Sequence, residues 1–190
     1  MLNKPIWALT ASELCKKTKN SELSATEITV ACLEQTKKVN PQLNAIVDDM
    51  SDEAIKRAES LDSEVAAGKP KGRLFGVPVT VKINVDQKGY ATSNGVTALK
   101  NLIAKTNAPI VDHLMDAGAV FVGRTNTPEF SFRADTENPL YGRTNNPWGK
   151  HLSPGGSSGG ASSAVMAGMC TLAHGKDIGG SLRFPSVATG

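Results

Sequence analysis

Two glycine-framed serines lie near the end of the sequence. Ser157 lies in GGSSGG and Ser181 in DIGGS, 24 residues further on (157 to 181). Glycine neighbours let the backbone approach a ligand that a Cβ atom would exclude. The intervening AGMCTLAHG has the small and apolar residues of a helix end followed by a buried strand, which would return the two serines to one place. The pattern predicts a site with two hydroxyl groups.

A lysine that could act as a base lies far upstream. Lys82 ends the apolar run VPVTV, whose composition favours a short buried strand. Burial favours the neutral amine, and a neutral amine can accept a proton. A second interpretation stays open, in which Lys82 lies at a sheet edge and its ammonium reaches water.

The glycine-serine loop allows several interpretations. Ser157 matches the G-x-S-x-G spacing of a nucleophile elbow, but the preceding HLSPGG is coil and no acid and histidine follow in the order of a Ser-Asp-His hydrolase. The sequence contains neither a Walker A loop nor an S-x-x-K motif. On pattern alone, GGSSGG could also be a flexible linker or an anion-binding nest.

The turn before Ser181 has the outline of an oxyanion hole. Consecutive backbone N–H groups of DIGGS can converge on one point because two of the residues lack side chains. Pro185 and Ser186 can then start a helix. The alternative is a tight strand-to-helix turn with an exposed serine.

Three motifs in this order resemble the amidase signature family: Lys82 in GVPVTVK, Ser157 in GGSSGG and Ser181 in DIGGSLRFPS. The segments GRTNTPEFSF and NPLYGRTNNPWG also resemble the stretch that these enzymes place before the glycine-serine loop. The resemblance implies an α/β fold with a mixed β-sheet core flanked by helices, incomplete at its C-terminus. It also implies hydrolysis of a small-molecule amide to an acid and ammonia or an amine, without a cofactor or a metal.

The resemblance further implies a role for each motif residue. Ser181 is expected to be the nucleophile, Ser157 a proton relay on a cis peptide bond, and Lys82 the base. Six further residues are expected to hold the oxyanion through backbone N–H groups or to orient the triad. These are Ile178, Gly179 and Gly180 for the oxyanion, and Ser158, Asp177 and Lys176 around the triad.

Two positions depart from the family pattern. Lys176 stands where a threonine is usual, and Ile83 replaces the acidic residue that often follows the lysine. A second ammonium near Lys82 could lower the pKa of the base, or it could fill the pocket and remove a hydrogen bond.

The remaining sequence predicts an ordered α/β chain. We expect one domain with an N-terminal helical region over residues 1–70 and the first part of the α/β core over residues 71–190. Thr10 or Ser12 and the capping box SATE start the first helices, and Asn40-Pro41 should end the second helix. LNAIV and AVFVG are predicted strands, Ser51 or Asp52 should cap a third helix, and PIVDHLMDAG should form another helix.

Composition narrows the function classes. The net charge is +3 with acidic and basic residues interleaved and an aromatic fraction of 5%, so nucleic acid is not an expected partner. The three cysteines lack the spacing of a disulfide framework or a zinc site, and no signal core or membrane span is evident, so a cytoplasmic location is expected.

The chain ends soon after Ser181, and we expect it to be the N-terminal part of a longer enzyme. Apolar surface exposed by truncation would favour a homo-oligomer. Two alternatives to an amidase stay open. One is the A subunit of a glutaminyl-tRNA amidotransferase, acting as a glutaminase, although TSNGVTAL and TNTPEFSF look more like general amidases. The other is a catalytically silent binding or assembly module.

Overall fold

A mixed four-stranded sheet flanked by helices forms the centre of the protein. The computed structural model describes residues 4–190, so Met1 to Asn3, part of the segment searched for a signal peptide, lie outside the described residues. The helices are α1 (Ala11–Lys19), α2 (Ala25–Leu43), α3 (Ser51–Ala66), α4 (Pro109–Asp116), α5 (Gly159–Met166) and α6 (Arg183–Thr189). The strands are β1 (Ile46–Asp49), β2 (Pro78–Lys82), β3 (Val120–Thr125), β4 (Glu137–Asn138), β5 (Gly142–Arg143) and β6 (Leu172–Ala173).

The order of the strands brings three loops to one edge of the sheet. The order is β1-β3-β2-β6, with β1 antiparallel to β3 and with β2 parallel to both β3 and β6. Because the carboxyl ends of parallel strands meet at one edge, the segments after β2, β3 and β6 come together there. β4 and β5 form a separate two-stranded ribbon. The mixed sheet flanked by helices confirms the predicted fold class.

The N-terminal helices begin where the sequence predicts them. Thr10 and Ser24 each accept a hydrogen bond from the backbone N–H of a glutamate three residues later, and the glutamate closes a capping box. The prediction that Asn40-Pro41 ends α2 is wrong, because the helix continues to Leu43. The Asn40 side chain stabilises this extension, since its amide accepts from the N–H groups of residues 45 and 46 and donates to the carbonyl of Ile46.

The start of α3 also differs from the prediction. Its N-cap position is Met50, which makes no side-chain capping bond, and neither Ser51 nor Asp52 caps the helix. Asp49 does so instead, because its carboxylate accepts from both the backbone N–H and the hydroxyl of Ser51. A carboxylate at this position is stabilised by the partial positive charge of a helix N-terminus.

Strand β2 is buried along its whole length. Pro78 is its first residue, a position that proline can occupy in a strand. Val79 and Val81 pack in one apolar cluster with Val111 and Phe121, whereas Val120 of β3 packs in a second cluster beneath α2 and α3. The sheet therefore has an apolar layer on each face, and β1 and α3 of the first 70 residues belong to one of these layers.

Strand β6 is shorter and more exposed than the sequence suggests. Its Leu172 is partly exposed because β6 is the last strand in the order and pairs only with β2 among the described residues. The helix after Ser181 begins at Arg183, two residues before the predicted start at Pro185. Between residues 4 and 190, none of the helices has both the length and the apolar character needed to cross a bilayer.

Candidate active site

Lys82 lies at the carboxyl end of β2 with its side chain completely buried, at 0% exposure. This position excludes the interpretation of an edge lysine in water. The Nζ atom lies 2.7 Å from Ser157 Oγ and 3.2 Å from Ser158 Oγ. No carboxylate pairs with it in the described part of the chain. Burial, and secondarily the charge of Lys176, lowers the pKa of Lys82 from 10.5 to about 7.

The loop that carries Ser157 is buried and well connected. The peptide bond between Gly156 and Ser157 is cis. Thr127, which follows β3, donates its hydroxyl proton to the carbonyl of Ser157 at 3.0 Å. A Cβ atom on Gly156 would overlap the carbonyl of Arg133, so this position has no room for a side chain. These contacts exclude the flexible-linker interpretation of GGSSGG.

A second threonine holds the two ends of the same loop. Thr136 donates to the carbonyl of Gly155 at 2.9 Å and accepts from the backbone N–H of Gly159 at 3.1 Å. Helix α5 begins at Gly159, so the loop passes directly into a buried helix. Ser158 and Gly159 are buried together with the whole segment from 154 to 161.

The turn that carries Ser181 is organised by the carboxylate of Asp177. This carboxylate accepts hydrogen bonds from the backbone N–H groups of Gly180, Leu182 and Arg183, and it forms two further bonds with the Arg183 guanidinium. The bonds from Arg183, followed by the one from Gly180, hold the pKa of Asp177 well below its usual range. Sequence reasoning placed Asp177 beside the triad but missed Arg183 as its partner.

The predicted oxyanion donors lie on an open part of this turn. Ile178 is 100% exposed, and a Cβ atom on Gly179 or Gly180 would meet no atom within 4 Å. The N–H of Gly180 is engaged by Asp177 at 2.8 Å. Among residues 4–190, the amides of Ile178 and Gly179 make no hydrogen bond and are therefore available to a ligand.

Ser157 and Ser181 line the same cleft, which has a volume of about 830 Å³. The backbone N–H of Ser158 donates to the carbonyl of Ser181 at 3.2 Å, so the two loops are directly joined. No hydrogen bond joins the hydroxyls of Ser157 and Ser181 within the described residues. Aromatic side chains form much of the remaining wall: Phe130, Phe132 and Phe184.

A polar network beneath this aromatic wall was missed by the sequence analysis. The Ser131 hydroxyl lies 2.9 Å from the Asn84 side-chain amide, 2.9 Å from Asn94 Oδ1 and 3.0 Å from the Thr127 hydroxyl. Because Thr127 donates its single hydroxyl proton to the carbonyl of Ser157, the Ser131 hydroxyl must be a hydrogen-bond donor within this network. Phe130 and Ser131 both have positive φ values, of 51° and 58°, a backbone conformation that is costly for residues with side chains.

Lys176 lies at the cleft and adds positive charge to it. Its side chain is exposed, and its Nζ atom contacts the backbone carbonyl of Asn84 at 3.4 Å. Of the two outcomes considered for this residue, the structure favours the electrostatic one, because Lys176 lowers the pKa of Lys82 and does not displace the bonds from Lys82 to the serines. Burial together with Lys176 and Lys82 also lowers the pKa of His174.

The arrangement defines the class of site. A buried amine contacts Ser157 and Ser158, and a third serine, Ser181, lies on an adjoining turn with free backbone amides. Such a set can activate a hydroxyl for attack on a carbonyl carbon. Within the described residues, no group of three or more His, Cys, Asp or Glu side chains is arranged to hold a metal ion.

Comparisons with known proteins place this site in a family. The family model named Amidase matches residues 27–190. Indoleacetamide hydrolase from Bradyrhizobium diazoefficiens is 50% identical over 186 residues, covering 98% of this chain and 36% of that protein. The A subunit of a glutamyl-tRNA(Gln) amidotransferase from Carboxydothermus hydrogenoformans is 38% identical over 185 residues, covering 97% of this chain and 38% of that subunit.

The structural comparison agrees. A bacterial aryl acylamidase of the amidase signature family superposes with a TM-score of 0.93 at 31% identity, over 98% of this chain and 39% of that one. The chain therefore belongs to the amidase family, as its motifs indicated. It spans a little over a third of the length of the curated relatives named above, at 36% and 38%.

Proposed function

We propose that the protein containing this chain hydrolyses carboxylic amides through an acyl-enzyme on Ser181, with Ser157 as proton relay and Lys82 as base. The observation that carries the proposal is the 2.7 Å contact between Lys82 Nζ and Ser157 Oγ in a buried site, where the pKa of the lysine falls to about 7. Membership of the amidase family supports the same activity.

The contact suits proton transfer in both directions. A neutral Lys82 can accept the proton of Ser157 while one of its own N–H groups donates to Ser158 at 3.2 Å. Ser157 then accepts the proton of Ser181 as the latter attacks the amide carbonyl carbon. The new bond joins Ser181 Oγ to that carbon, and the carbonyl oxygen becomes an oxyanion.

The second half of acylation reverses the proton path. The free backbone amides of Ile178 and Gly179 are suited to donate to the oxyanion, and the Asp177 carboxylate holds the turn that carries them by accepting from three backbone N–H groups. When the carbon–nitrogen bond breaks, the proton held by Lys82 returns through Ser157 to the leaving amine or ammonia. Water then attacks the acyl-enzyme by the same route and releases the acid.

The walls of the cleft favour an aromatic or apolar acyl group. Phe130, Phe132 and Phe184 are all substantially exposed and face a space of about 830 Å³. Aromatic rings stack favourably against such side chains. The name of the relative at 50% identity, indoleacetamide hydrolase, supports an aryl acetamide as the first substrate to test.

A second candidate is the A subunit of a tRNA-dependent amidotransferase, which would release ammonia from glutamine. Relatives with that name are 36% to 41% identical to this chain. Assays with glutamine and with indoleacetamide under matched conditions distinguish the two candidates. A cytoplasmic location, expected from the cysteine pattern, stays a prediction.

The test treats both the intact protein and the 190-residue chain with a serine-reactive aryl phosphonate and maps the adduct by peptide mass spectrometry. We expect labelling of Ser181, loss of labelling in Ser181→Ala, and strongly slowed labelling in Ser157→Ala. Labelling at another residue, or labelling that survives Ser181→Ala, would refute the mechanism. Labelling of the intact protein but not of the 190-residue chain would mean that only the 190-residue chain is catalytically silent.

A further inference from the structure

The charges around the cleft are unbalanced. Two basic side chains line it, Lys176 on the turn before Ser181 and Arg133 on the opposite loop, and no acidic side chain lines it among the described residues. Neither Lys176 nor Arg133 forms a salt bridge within residues 4–190. A cleft lined by one sign of charge attracts ligands of the opposite sign.

The carboxylate next to Lys176 in the chain is engaged elsewhere. Asp177 directs both oxygens to Arg183 and to three backbone N–H groups. Among residues 4–190, the Lys176 ammonium has only the Asn84 carbonyl as a partner, at 3.4 Å, which is long for a hydrogen bond. The open space at Gly179 and Gly180 lies beside it. An ammonium in this position retains donor capacity for a ligand in the cleft.

We propose that Lys176 makes the cleft select amides that carry an anionic group, so that a carboxylate on the acyl portion is favoured over a neutral group of the same shape. The proposal rests on the amide hydrolysis proposed above. It assigns to Lys176 a role in specificity that is separate from its effect on Lys82, since the effect on Lys82 acts equally on every substrate.

A matched pair of substrates isolates the charge. The nitro group is planar and close in shape to a carboxylate but neutral, so 4-carboxyphenylacetamide and 4-nitrophenylacetamide, together with their 3-substituted isomers, differ mainly in charge. The ratio of kcat/KM for the two members of a pair cancels any change in the base. We expect Lys176→Met to lower this ratio roughly fivefold to tenfold, as for the loss of one partly screened charge contact, and Lys176→Glu to lower it further.

Salt and a distant lysine supply the controls. Raising ionic strength should lower the wild-type ratio and should lower that of Lys176→Met by less, because only Arg133 then supplies positive charge to the cleft lining. Lys56→Met, at an exposed position on α3, should leave the ratio at its wild-type value. An unchanged ratio in Lys176→Met for both the 3- and the 4-substituted pair overturns the proposal.

A binding measurement separates this proposal from the proposed activity. Calorimetric titration of the four amides into the Ser181→Ala variant needs no turnover. We expect the carboxylates to bind more tightly than the nitro compounds, with the difference lost in Ser181→Ala/Lys176→Met. Equal binding in Ser181→Ala overturns the assignment of Lys176, whereas absence of turnover and of Ser181 labelling in the wild type overturns the hydrolase proposal.

Discussion

The pH dependence of acylation tests the role of Lys82 most directly. With the ordinary pKa of 10.5, about one lysine in three thousand would be neutral at pH 7; with a pKa of about 7, half are neutral. Burial thus increases the amount of usable base on the order of a thousandfold at pH 7. Because only the neutral amine accepts a proton, we expect kcat/KM to rise with pH through a midpoint near 7 and to level off above it.

Replacing Lys176 moves this midpoint in a defined direction. The positive charge of Lys176 lowers the pKa of Lys82, so Lys176→Met should raise that pKa and shift the midpoint to higher pH. Activity should fall at pH 6.5 and approach the wild-type value on the alkaline plateau. The measurement is the rate of Ser181 labelling by a neutral phosphonate between pH 5 and 9.5, with Lys56→Met as the control. A midpoint that does not move in Lys176→Met, or a flat wild-type profile, would refute the reasoning.

Four further predictions follow from individual contacts. Lys82→Met should abolish labelling and raise the free energy of unfolding at pH 6 by less than about 5 kcal/mol. A pKa lowered from 10.5 to about 7 means that the buried lysine lowers stability below pH 7 and that this cost disappears as the pH rises from 7 to 10.5. Urea titrations at pH 6 and pH 10 check the sign. Arg124→Leu should lower the free energy of unfolding by about 2–4 kcal/mol because it leaves the Asp48 carboxylate, 2.9 Å away, without its partner. Lys17→Leu, which breaks the more exposed pair with Glu22, should cost far less, and equal losses would contradict this. Thr127→Val should lower the free energy of unfolding by about 1–3 kcal/mol and slow labelling, because the buried carbonyl of Ser157 loses its hydrogen-bond donor. The control is Thr29→Val, at a buried hydroxyl without a partner among the described residues, which should leave the free energy of unfolding unchanged or raise it. The 190-residue chain should self-associate through exposed apolar side chains such as Val187, so light scattering that shows a monomer at high concentration would count against the predicted oligomer.

Local signals predicted the elements that carry the site. The capping boxes at Thr10 and Ser24 depend only on residues three apart, and the apolar run before Lys82 is long enough to identify a buried strand by composition. The family resemblance then added roles that no local pattern contains, such as the pairing of Lys82 with Ser157 across 75 positions. The elements and the Lys82–Ser157 contact were predictable because each depends on neighbouring residues or on a motif, whereas the roles of these residues stay a proposal.

Other contacts, some local and some between distant segments, could not be predicted in this way. Helix α2 continues past Pro41 because Asn40 bonds to the backbone beyond the helix end, which overrides the usual effect of a residue before proline. The Ser131 network joins residues after β2 and after β3, and only the parallel pairing of these strands brings them together. Arg124 shows no sign in the sequence of being completely buried.

The same topology explains how a lysine with a lowered pKa lies beside two serines. Parallel β2, β3 and β6 bring Lys82, Thr127 and the Asp177–Arg183 turn to one edge, where each has a different task. Thr127 holds Ser157 through the backbone carbonyl, so the hydroxyl of Ser157 is left free to face Lys82. Arg183 pairs with Asp177. The pKa of Lys82 is lowered mainly by burial and secondarily by the charge of Lys176, without a contribution from Asp177. If Asp177 instead faced Lys82, the carboxylate would stabilise the ammonium and raise that pKa, and the base would be lost at pH 7.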